Sequence, residues 1–350
     1  MSFLKSVNVY RRKFMHSLTK NVGNSAKVSG NPFDHSKKVR RILVTRPNHR
    51  LGNLLLITPL IQEIEALFPE CKVDLFIKGG LGPVIFKNYS NIGKIIQLPK
   101  KHFKAIGSYL GGWLSLKRNQ YDIVINVEKG SSSGRLSAQF ANSRHYFFGD
   151  ADESSVDDKH IARYPVYNLR NYLSKIGLNC PNTNIPPLDL KLDDAEKASG
   201  KVLLSNIVKN DKSTISIFTF ATGSKCYSED WWADIYQKLV ADFPDFNVVE
   251  ILPVENVSQI AFQAPTFYSK DVREIAAVIA NTEVFIGADS GIMHLASSAL
   301  TPTIGLFTVS NASKYGPYGN QSVAIDTNMP DYKDSIFSNI HKILKQSSDD

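Results

Sequence analysis

The chain has 350 residues, a length typical of two domains, and 43% of its residues are hydrophobic. An aromatic content of 10% excludes wholesale disorder, and no apolar run approaches the roughly 20 residues that a membrane-spanning helix needs. The net charge of +8 is concentrated in the first 41 residues, which hold ten Lys/Arg and a single acid; the rest of the chain holds 31 basic and 32 acidic residues. A nearly neutral body argues against a nucleic-acid partner, which would require a basic face within the fold.

Residues 1–38 are predicted to form a basic arm and linker ahead of the body. Within residues 1–20, most cations lie off a stripe with three- and four-residue spacing: Phe3, Leu4, Val7, Tyr10 or Arg11, Phe14, Met15 and Leu18. Such a helix suits the headgroup layer of an anionic membrane, so we expect a partner surface there. A helix packed on the body and a transit peptide are the alternatives. Residues 21–38, rich in Ser, Asn, Gly and Lys, are interpreted as the linker.

The three cysteines, Cys71, Cys180 and Cys226, lie far apart and form neither a disulfide framework nor a CxxC metal motif. Such cysteine usage favours a reducing compartment. No uninterrupted apolar stretch of a secretory signal follows the first charges. We therefore expect a cytoplasmic protein, with attachment at the inner face of the cytoplasmic membrane as a further expectation.

Residues 39–178 predict a first domain in which short β-rich runs alternate with helical stretches. The predicted strands are 41–46, 72–77, 94–98, 121–127 and 145–149, and the predicted helices include 53–68 and 160–176. This order is typical of a mostly parallel, doubly wound sheet. The proline-bearing segment 180–187 is interpreted as a linker.

The alternation begins again in residues 186–328, which predict a second domain. The predicted strands are 213–220, 246–252, 282–288 and 301–307, and the predicted helices are 229–242, 271–280 and 290–300. Residues 329–350 are predicted to hold a last helix. The sequence therefore indicates an α/β protein made of two consecutive Rossmann-like domains.

Loops that follow predicted strands are where open α/β sheets bind ligands. Four such segments are rich in polar or small residues: 47–53, 128–134, 221–225 and 287–294. Thr222, Gly223, Ser224 and Lys225 offer hydroxyls, a glycine for close backbone approach and one ammonium group. A helix beginning behind them would add free N–H groups, so we expect an anion there, although the spacing is not that of a Walker P-loop. Taken alone, this cluster could equally be a solvated turn, the Asp289–Ser290 pair a helix cap, and His294 a buried structural histidine.

Taken together, these segments resemble glycosyltransferase family 9, the bacterial heptosyltransferases of the lipopolysaccharide inner core. The resemblance covers roughly residues 40–320. It rests on ILVTRPNHRLGNLLLITPLIQEIEALFP, on TGSKCYSEDWWADIYQKL, on YGPYG (315–319), and above all on FIGADSGIMHLASSALTPTIGLF, which is similar to the family's D-[ST]-G-x-x-H-L-A signature.

The resemblance implies a GT-B fold, with the two Rossmann-like domains facing a cleft. The N-terminal domain would bind the acceptor and the C-terminal domain the nucleotide sugar. Lys225 with Thr222, Gly223 and Ser224 would hold the donor diphosphate, Asp289, Ser290 and Gly291 would bind the donor sugar or phosphate, and His294 would support that site. Glu255 would hydrogen-bond the nucleotide ribose. The resemblance further implies an inverting transfer, plausibly of heptose from ADP-heptose to a lipid-linked core or surface saccharide, with no metal or other cofactor.

One position departs from the family pattern, because Asn53 stands where the family usually has an aspartate that serves as the general base. An amide cannot accept a proton at neutral pH, so another group must take that role or the activity is lost. Glu128, at the end of a predicted strand, is the preferred replacement, since burial beside the cleft would suit its carboxylate to proton transfer. His49 is the second candidate. The other interpretation of Glu128 is a loop carboxylate that caps a turn.

Alternative functions follow from the same residues. Asp150-Ala151-Asp152 matches the DxD motif of metal-dependent glycosyltransferases, but it lies in a run of acids and is interpreted as a solvated loop. Asn53 leaves open a catalytically silent protein that binds a sugar nucleotide or a glycan. A nucleotide-sugar epimerase of the same fold, which needs no acceptor, is the third possibility.

Overall fold

The computed structural model describes residues 33, 34, 36, 38–100, 105–149, 160–180 and 183–347. The amphipathic helix predicted within residues 1–20 lies outside these residues, as do Asp150 and Asp152. Within the described ranges, no helix has both the length and the apolar character needed to cross a membrane.

Five parallel strands form the sheet of the N-terminal domain. They are β1 (Arg41–Arg46), β2 (Lys72–Lys78), β3 (Ile92–Leu98), β4 (Gln120–Asn126) and β5 (Asn142–Phe147). Their order across the sheet is β3-β2-β1-β4-β5. The central strand is apolar and buried because helices cover both of its faces.

Six helices accompany this sheet within the described ranges. They are α1 (Leu51–Leu55), α2 (Thr58–Leu67), α3 (Gly82–Ile85), α4 (Ile106–Arg118), α5 (Ser132–Phe140) and α6 (Tyr164–Lys175). The single helix predicted over residues 53–68 is wrong, because the structure divides it into α1 and α2. Pro59 has no N–H to continue the ladder, and the Thr58 hydroxyl donates instead to the carbonyl of Leu55 at 2.7 Å.

The second domain contains a six-stranded parallel sheet. Its strands are β6 (Thr214–Phe218), β7 (Asn247–Ile251), β8 (Thr266–Phe267), β9 (Val284–Ala288), β10 (Thr303–Phe307) and β11 (Val323–Asp326). Their order is β11-β10-β9-β6-β7-β8. The sequence did not predict β8 and β11, which are short edge strands without a continuous apolar run.

Six helices belong to this half of the chain, counted over residues 183–347. They are α7 (Asp194–Val208), α8 (Glu229–Asp242), α9 (Val272–Ile279), α10 (Gly291–Ser298), α11 (Ala312–Tyr315) and α12 (Tyr332–Ser347). Helix α12 packs Ile336, Phe337 and Ile340 into the apolar cluster of the second sheet. The predicted architecture of two doubly wound α/β domains is confirmed.

The segment between the domains is fastened to the N-terminal domain. Arg170 of α6 donates two hydrogen bonds of 2.7 Å to the carboxylate of Glu63 in α2, and a third of 2.7 Å to the carbonyl of Thr183. Tyr89 donates to the carbonyl of Asp189 at 2.6 Å. Because Arg170 and Glu63 are both buried, this bidentate pair fixes where the linker leaves the domain.

Arg273 of α9 holds the same segment from the side of the C-terminal domain. Its guanidinium donates to Glu196 of α7 at 2.6 Å, to the carbonyl of Leu190 in the linker at 3.2 Å and to the carbonyl of Val84 in α3 at 3.1 Å. One buried side chain therefore bonds to both domains and to the segment that joins them. This ion pair lowers the pKa of Glu196 well below its usual range.

Candidate functional site

The two domains meet where α1 and α10 begin. Gly52 of α1 lies so close to α10 that a Cβ atom added to it would stand 2.7 Å from Cδ2 of His294 and 3.5 Å from Cα of Gly291. A Cβ atom added to Gly291 would in turn stand 3.4 Å from Cβ of Leu51. Glycine at both positions allows this approach, and it brings the predicted acceptor and donor segments together.

Lys225 and Asp289 form an ion pair at the carboxyl edge of the second sheet. Asp289 directly follows β9 and is buried, while Lys225 closes a short 3-10 turn over Gly223–Lys225 after β6. Gly223 has a φ of 66°, which favours glycine there. The two segments that the sequence analysis selected are therefore in direct contact, although 64 positions separate them.

The helix ends around this pair differ from the expectation in one respect. Helix α8 does not begin directly behind Lys225; it begins at Glu229, with Ser228 as its cap and Glu229 and Asp230 in its first turn. Carboxylates in the first turn stabilise the positive end of α8 and repel a second anion, so this helix end is a weaker anion site than the sequence led us to expect. The Ser290 hydroxyl caps α10 by accepting from the N–H of Met293 at 3.2 Å.

His294 is a buried group beside the ion pair. Its pKa is lowered to about 4, chiefly by burial and also by His160 and Lys225, while the nearby Asp289 carboxylate partly opposes this shift. His160 lies on the other side of the domain boundary and its Nε2 is 2.8 Å from the carbonyl oxygen of Gly316. His294 is therefore neutral near pH 7 and can offer a hydrogen bond without adding charge to the site.

A cavity of about 320 Å³ opens at the carboxyl edge of the second sheet. Of the predicted donor residues, it is lined by Thr222, Glu255, Ser290 and Gly291, with apolar walls that include Phe218, Phe220 and Ile275. Leu51 of α1 closes it from the N-terminal domain. Apolar walls with a few polar groups suit a flat base and a ribose. Gly223 and Ser224 are exposed beside it.

A second cavity, of about 550 Å³, lies on the other side of α1. Asn53, Arg46 and Glu128 line it from the N-terminal domain, and Lys314 lines it from the C-terminal domain. Arg46 is buried and forms an ion pair with Glu128. The structure therefore brings two of the three predicted catalytic residues, Asn53 and Glu128, into one cavity that both domains enclose.

Two expectations about the predicted base are wrong. Glu128 is not buried, because 48% of its side chain is exposed. His49 is exposed and does not line the cavity that contains Asn53 and Glu128. It lies instead near Lys78, Lys100 and Arg50, and partial burial, with these cations, lowers its pKa. The position of His49 depends on the direction of the loop after β1, and the sequence pattern does not determine that direction.

Sequence reasoning missed two cations that line the larger cavity. Arg46 is the last residue of β1, and a charge at the carboxyl end of a buried strand was a signal that could have found it. Lys314 lies in α11, next to the YGPYG segment, and its place depends on how the domains meet. Together they add positive charge to a cavity in which sequence reasoning had placed only an amide, Asn53, and a carboxylate, Glu128.

The arrangement suits group transfer between two bound molecules. One side offers a partly exposed cation, Lys225, next to a cavity for a nucleotide, and the other offers a carboxylate, Glu128, in a separate cavity. Among the described residues, no three His, Cys, Asp or Glu side chains are grouped so that they could hold a metal ion.

Comparisons with known proteins agree with this geometry. Residues 269–341 match the sequence model of glycosyltransferase family 9 (heptosyltransferase). The lipopolysaccharide heptosyltransferase 3 of Escherichia coli is 20% identical over 303 residues, which is 78% of this chain and 85% of that protein.

Solved structures of the family share the fold. The family 9 glycosyltransferase of Veillonella parvula superposes with a TM-score of 0.69 at 18% identity, covering 88% of this chain and 98% of that one. The E. coli heptosyltransferase WaaC with ADP-2-deoxy-2-fluoro heptose gives a TM-score of 0.60 at 14% identity, covering 86% of this chain and 99% of that one. The GT-B fold implied by the sequence resemblance is therefore confirmed, and within this fold residues 269–341 match the family 9 model.

Proposed function

We propose that the chain is an inverting, metal-independent transferase that moves a sugar from a nucleotide sugar to a lipid-linked core or surface saccharide. The proposed sugar is heptose, from ADP-heptose, because the relatives are heptosyltransferases and one of them was solved with an ADP-heptose analogue. The reaction would take place in the cytoplasm, at the inner face of the membrane that anchors the acceptor.

The observation that carries this proposal is the Lys225–Asp289 ion pair next to the smaller cavity, which Thr222 and Ser290 line. The donor cavity lies beside it in the C-terminal domain, and the cavity with Glu128 lies across α1. A donor whose base fills the smaller cavity would direct its diphosphate towards Lys225. The anomeric carbon would then face the larger cavity, where an acceptor can approach.

Lys225 would stabilise the leaving group. As the bond between the anomeric carbon and the phosphate oxygen breaks, negative charge grows on the diphosphate, and a fixed ammonium group lowers the energy of that state. Asp289 holds the ammonium in place, and the glycine at position 291 lets the backbone N–H groups of α10 approach a phosphate closely. In this scheme the Lys225 ammonium supplies the positive charge that a metal ion supplies in other enzymes. Because no metal takes part, EDTA would leave the activity unchanged.

Glu128 would act as the general base. The acceptor hydroxyl oxygen attacks the anomeric carbon from the face opposite the diphosphate, its proton passes to the Glu128 carboxylate, and the nucleoside diphosphate leaves. One displacement inverts the configuration at that carbon. Arg46 would orient the carboxylate through their ion pair, and Asn53 would hydrogen-bond the acceptor without accepting its proton.

A second candidate is a sugar-nucleotide or glycan-binding protein without catalytic activity. Asn53 favours it, because the cavity then lacks the aspartate that the family resemblance leads us to expect. The same fold and the same donor cavity would serve such a protein.

A panel of nucleotide sugars separates the two candidates. We would measure the melting temperature with ADP-, GDP-, UDP- and dTDP-linked sugars, since a ligand that binds the native state raises it. The ligand that stabilises most would then be tested for transfer to isolated lipopolysaccharide core and for hydrolysis. Stabilisation by ADP-heptose with transfer supports the enzyme, whereas stabilisation with neither transfer nor hydrolysis supports the binding protein. No stabilisation by any of the four would contradict both.

A further inference from the structure

Helix α4 leaves an apolar face uncovered on the N-terminal domain. Ile106, Leu110 and Leu114 follow one another at four-residue intervals. Their exposed fractions are 58%, 55% and 55%, respectively. Gly107 and Gly111 lie on the same face, where an added Cβ atom would meet nothing within 4 Å among the described residues. The face is therefore a smooth apolar stripe about two and a half turns long.

The opposite side of α4 explains why the helix keeps its place. Leu116 is fully buried, and the Trp113 ring lies 5.4 Å from that of Phe76 in the sheet. The packing of α4 therefore does not depend on the residues of its outer stripe. Other large exposed apolar side chains on described helices, such as Val202 of α7 and Val240 of α8, do not form such a row. An apolar stripe of this length on a folded domain indicates a surface that binds something.

The charges around the stripe have one sign. No aspartate or glutamate occurs anywhere in residues 75–121, while Lys100 precedes α4 and Lys117 and Arg118 end it. At the same end of the sheet, Lys78 and Arg50 lie with Lys100 around His49. An apolar helix face bordered by cations at both ends matches a helix lying in the interface of an anionic bilayer.

The position of α4 relates the stripe to the cleft. A cavity of about 360 Å³ is lined by Gly79 and Gly80 after β2, by Lys100 after β3, and by Ala105 and Ser108 at the start of α4. The amino-terminal end of α4 is thus at the carboxyl edge of the sheet, the edge that also carries Asn53 and Glu128. A bilayer in contact with α4 would therefore lie on the N-terminal domain, the domain that contributes Asn53 and Glu128 to the larger cavity.

We propose that the outer face of α4, defined by Ile106, Leu110 and Leu114 with the cations at its two ends, docks the protein on an anionic lipid bilayer. A second copy of the chain is a poorer occupant, because a symmetric pair would bring the same cations of both copies together. The inference rests on the surface chemistry of α4 and does not depend on the transfer reaction. It is also separate from the arm in residues 1–20.

Vesicle partition of the full chain tests this proposal. We would measure flotation with vesicles of phosphatidylcholine alone and with added phosphatidylglycerol, comparing the wild type with L110Q/L114Q and with V202Q/V240Q. The control pair has similar exposure, 60% and 47%, on other helices. We expect L110Q/L114Q to lower the partition constant on anionic vesicles about tenfold or more, and the control pair to leave it unchanged. Equal partition for all three proteins, or equal losses for both pairs, would overturn the proposal.

A probe on the helix separates α4 from the basic arm, which could hold the chain on vesicles by itself. In a Cys180→Ser, Cys226→Ser background, a polarity-sensitive fluorophore would be attached to Leu110→Cys, and in a control to Val202→Cys. We expect a blue shift, and quenching by bromine-labelled lipid, for the probe at 110 alone. A probe at 110 that stays in water while the protein binds vesicles overturns the proposal. So does a dimer, seen by sedimentation, that L110Q/L114Q dissociates.

Discussion

Gly52 and His294 belong to different domains, yet a Cβ atom at position 52 would stand only 2.7 Å from Cδ2 of the histidine ring. His294 is buried, so its ring has little room to move away. Together with the approach of Gly291 to Leu51, this proximity sets how closely α1 and α10 pack where the two domains meet.

A Gly52→Ala variant should therefore be less stable. We expect it to lower the free energy of unfolding by about 1–3 kcal/mol, because the added methyl group forces the domains apart. Denaturant unfolding measures this. Gly111→Ala is the matched control, since its Cβ atom would meet nothing within 4 Å in the described part of the chain and alanine favours an exposed helix by about 0.5–1 kcal/mol. Equal stability of the Gly52→Ala variant and the wild type would contradict the close contact.

Lys225→Ala should remove the cation that stabilises the departing diphosphate. We expect kcat/KM with ADP-heptose to fall about 100- to 1000-fold. Lys238→Ala is the control, because Lys238 is also paired with an aspartate and has a similar exposure, 43% against 37% for Lys225. Steady-state kinetics would decide, and unchanged turnover in Lys225→Ala would remove this residue from the site.

Glu128→Gln should abolish proton transfer while leaving the donor cavity intact. We expect kcat to fall about 100-fold or more, with no change in the melting shift that the donor causes. Adding Asn53→Asp to this variant places a new carboxylate in the same cavity and should restore part of the activity. Glu70→Gln, an exposed glutamate that is paired with Lys38, is the control. Full activity of Glu128→Gln would assign the base elsewhere.

The buried His294 should make the protein less stable in mild acid. Its pKa of about 4 in the folded chain lies below the 6.5 of an unfolded histidine, so the unfolded state binds more protons between these values. The free energy of unfolding should therefore fall by about 2 kcal/mol from this group as the pH falls from 7 to 5.

A His294→Gln variant should lose that part of the pH dependence, whereas a variant at the exposed His341 of α12, His341→Gln, should keep it. Glu250 contributes in the opposite direction, because burial raises its pKa, but it is present in all of these proteins and cancels in the comparison. Urea unfolding at pH 5, 6 and 7 measures the difference. Parallel curves for the wild type and His294→Gln would contradict the neutral, buried histidine.

The sequence predicted most of the frame because local patterns determine it. The apolar run of β1 and the amphipathic helix α8 have the predicted bounds, Arg41–Arg46 and Glu229–Asp242. Lys225 and Asp289 were both selected because each follows a strand, and parallel strands end at one edge of a sheet.

Features that depend on distant neighbours could not be predicted in this way. Arg46 and Glu128 are 82 positions apart, and their ion pair depends on how β1 and β4 pair. The exposure of Glu128 and the place of His49 depend on loop directions that no periodicity describes. The exposure of the apolar face of α4 could not be predicted either. An apolar stripe in a sequence predicts burial and does not tell which helix lacks a neighbour that covers it.

The hydrogen bonds of Arg273 to both domains and to the linker affect how the two domains can be expressed separately. Cutting the chain in the linker would leave this guanidinium without the carbonyls of Val84 and Leu190, and the N-terminal fragment would present those carbonyls to water. Each separately expressed fragment would therefore expose polar groups that are hydrogen-bonded in the intact chain. The two halves should be produced as one polypeptide, or co-expressed so that each completes the other.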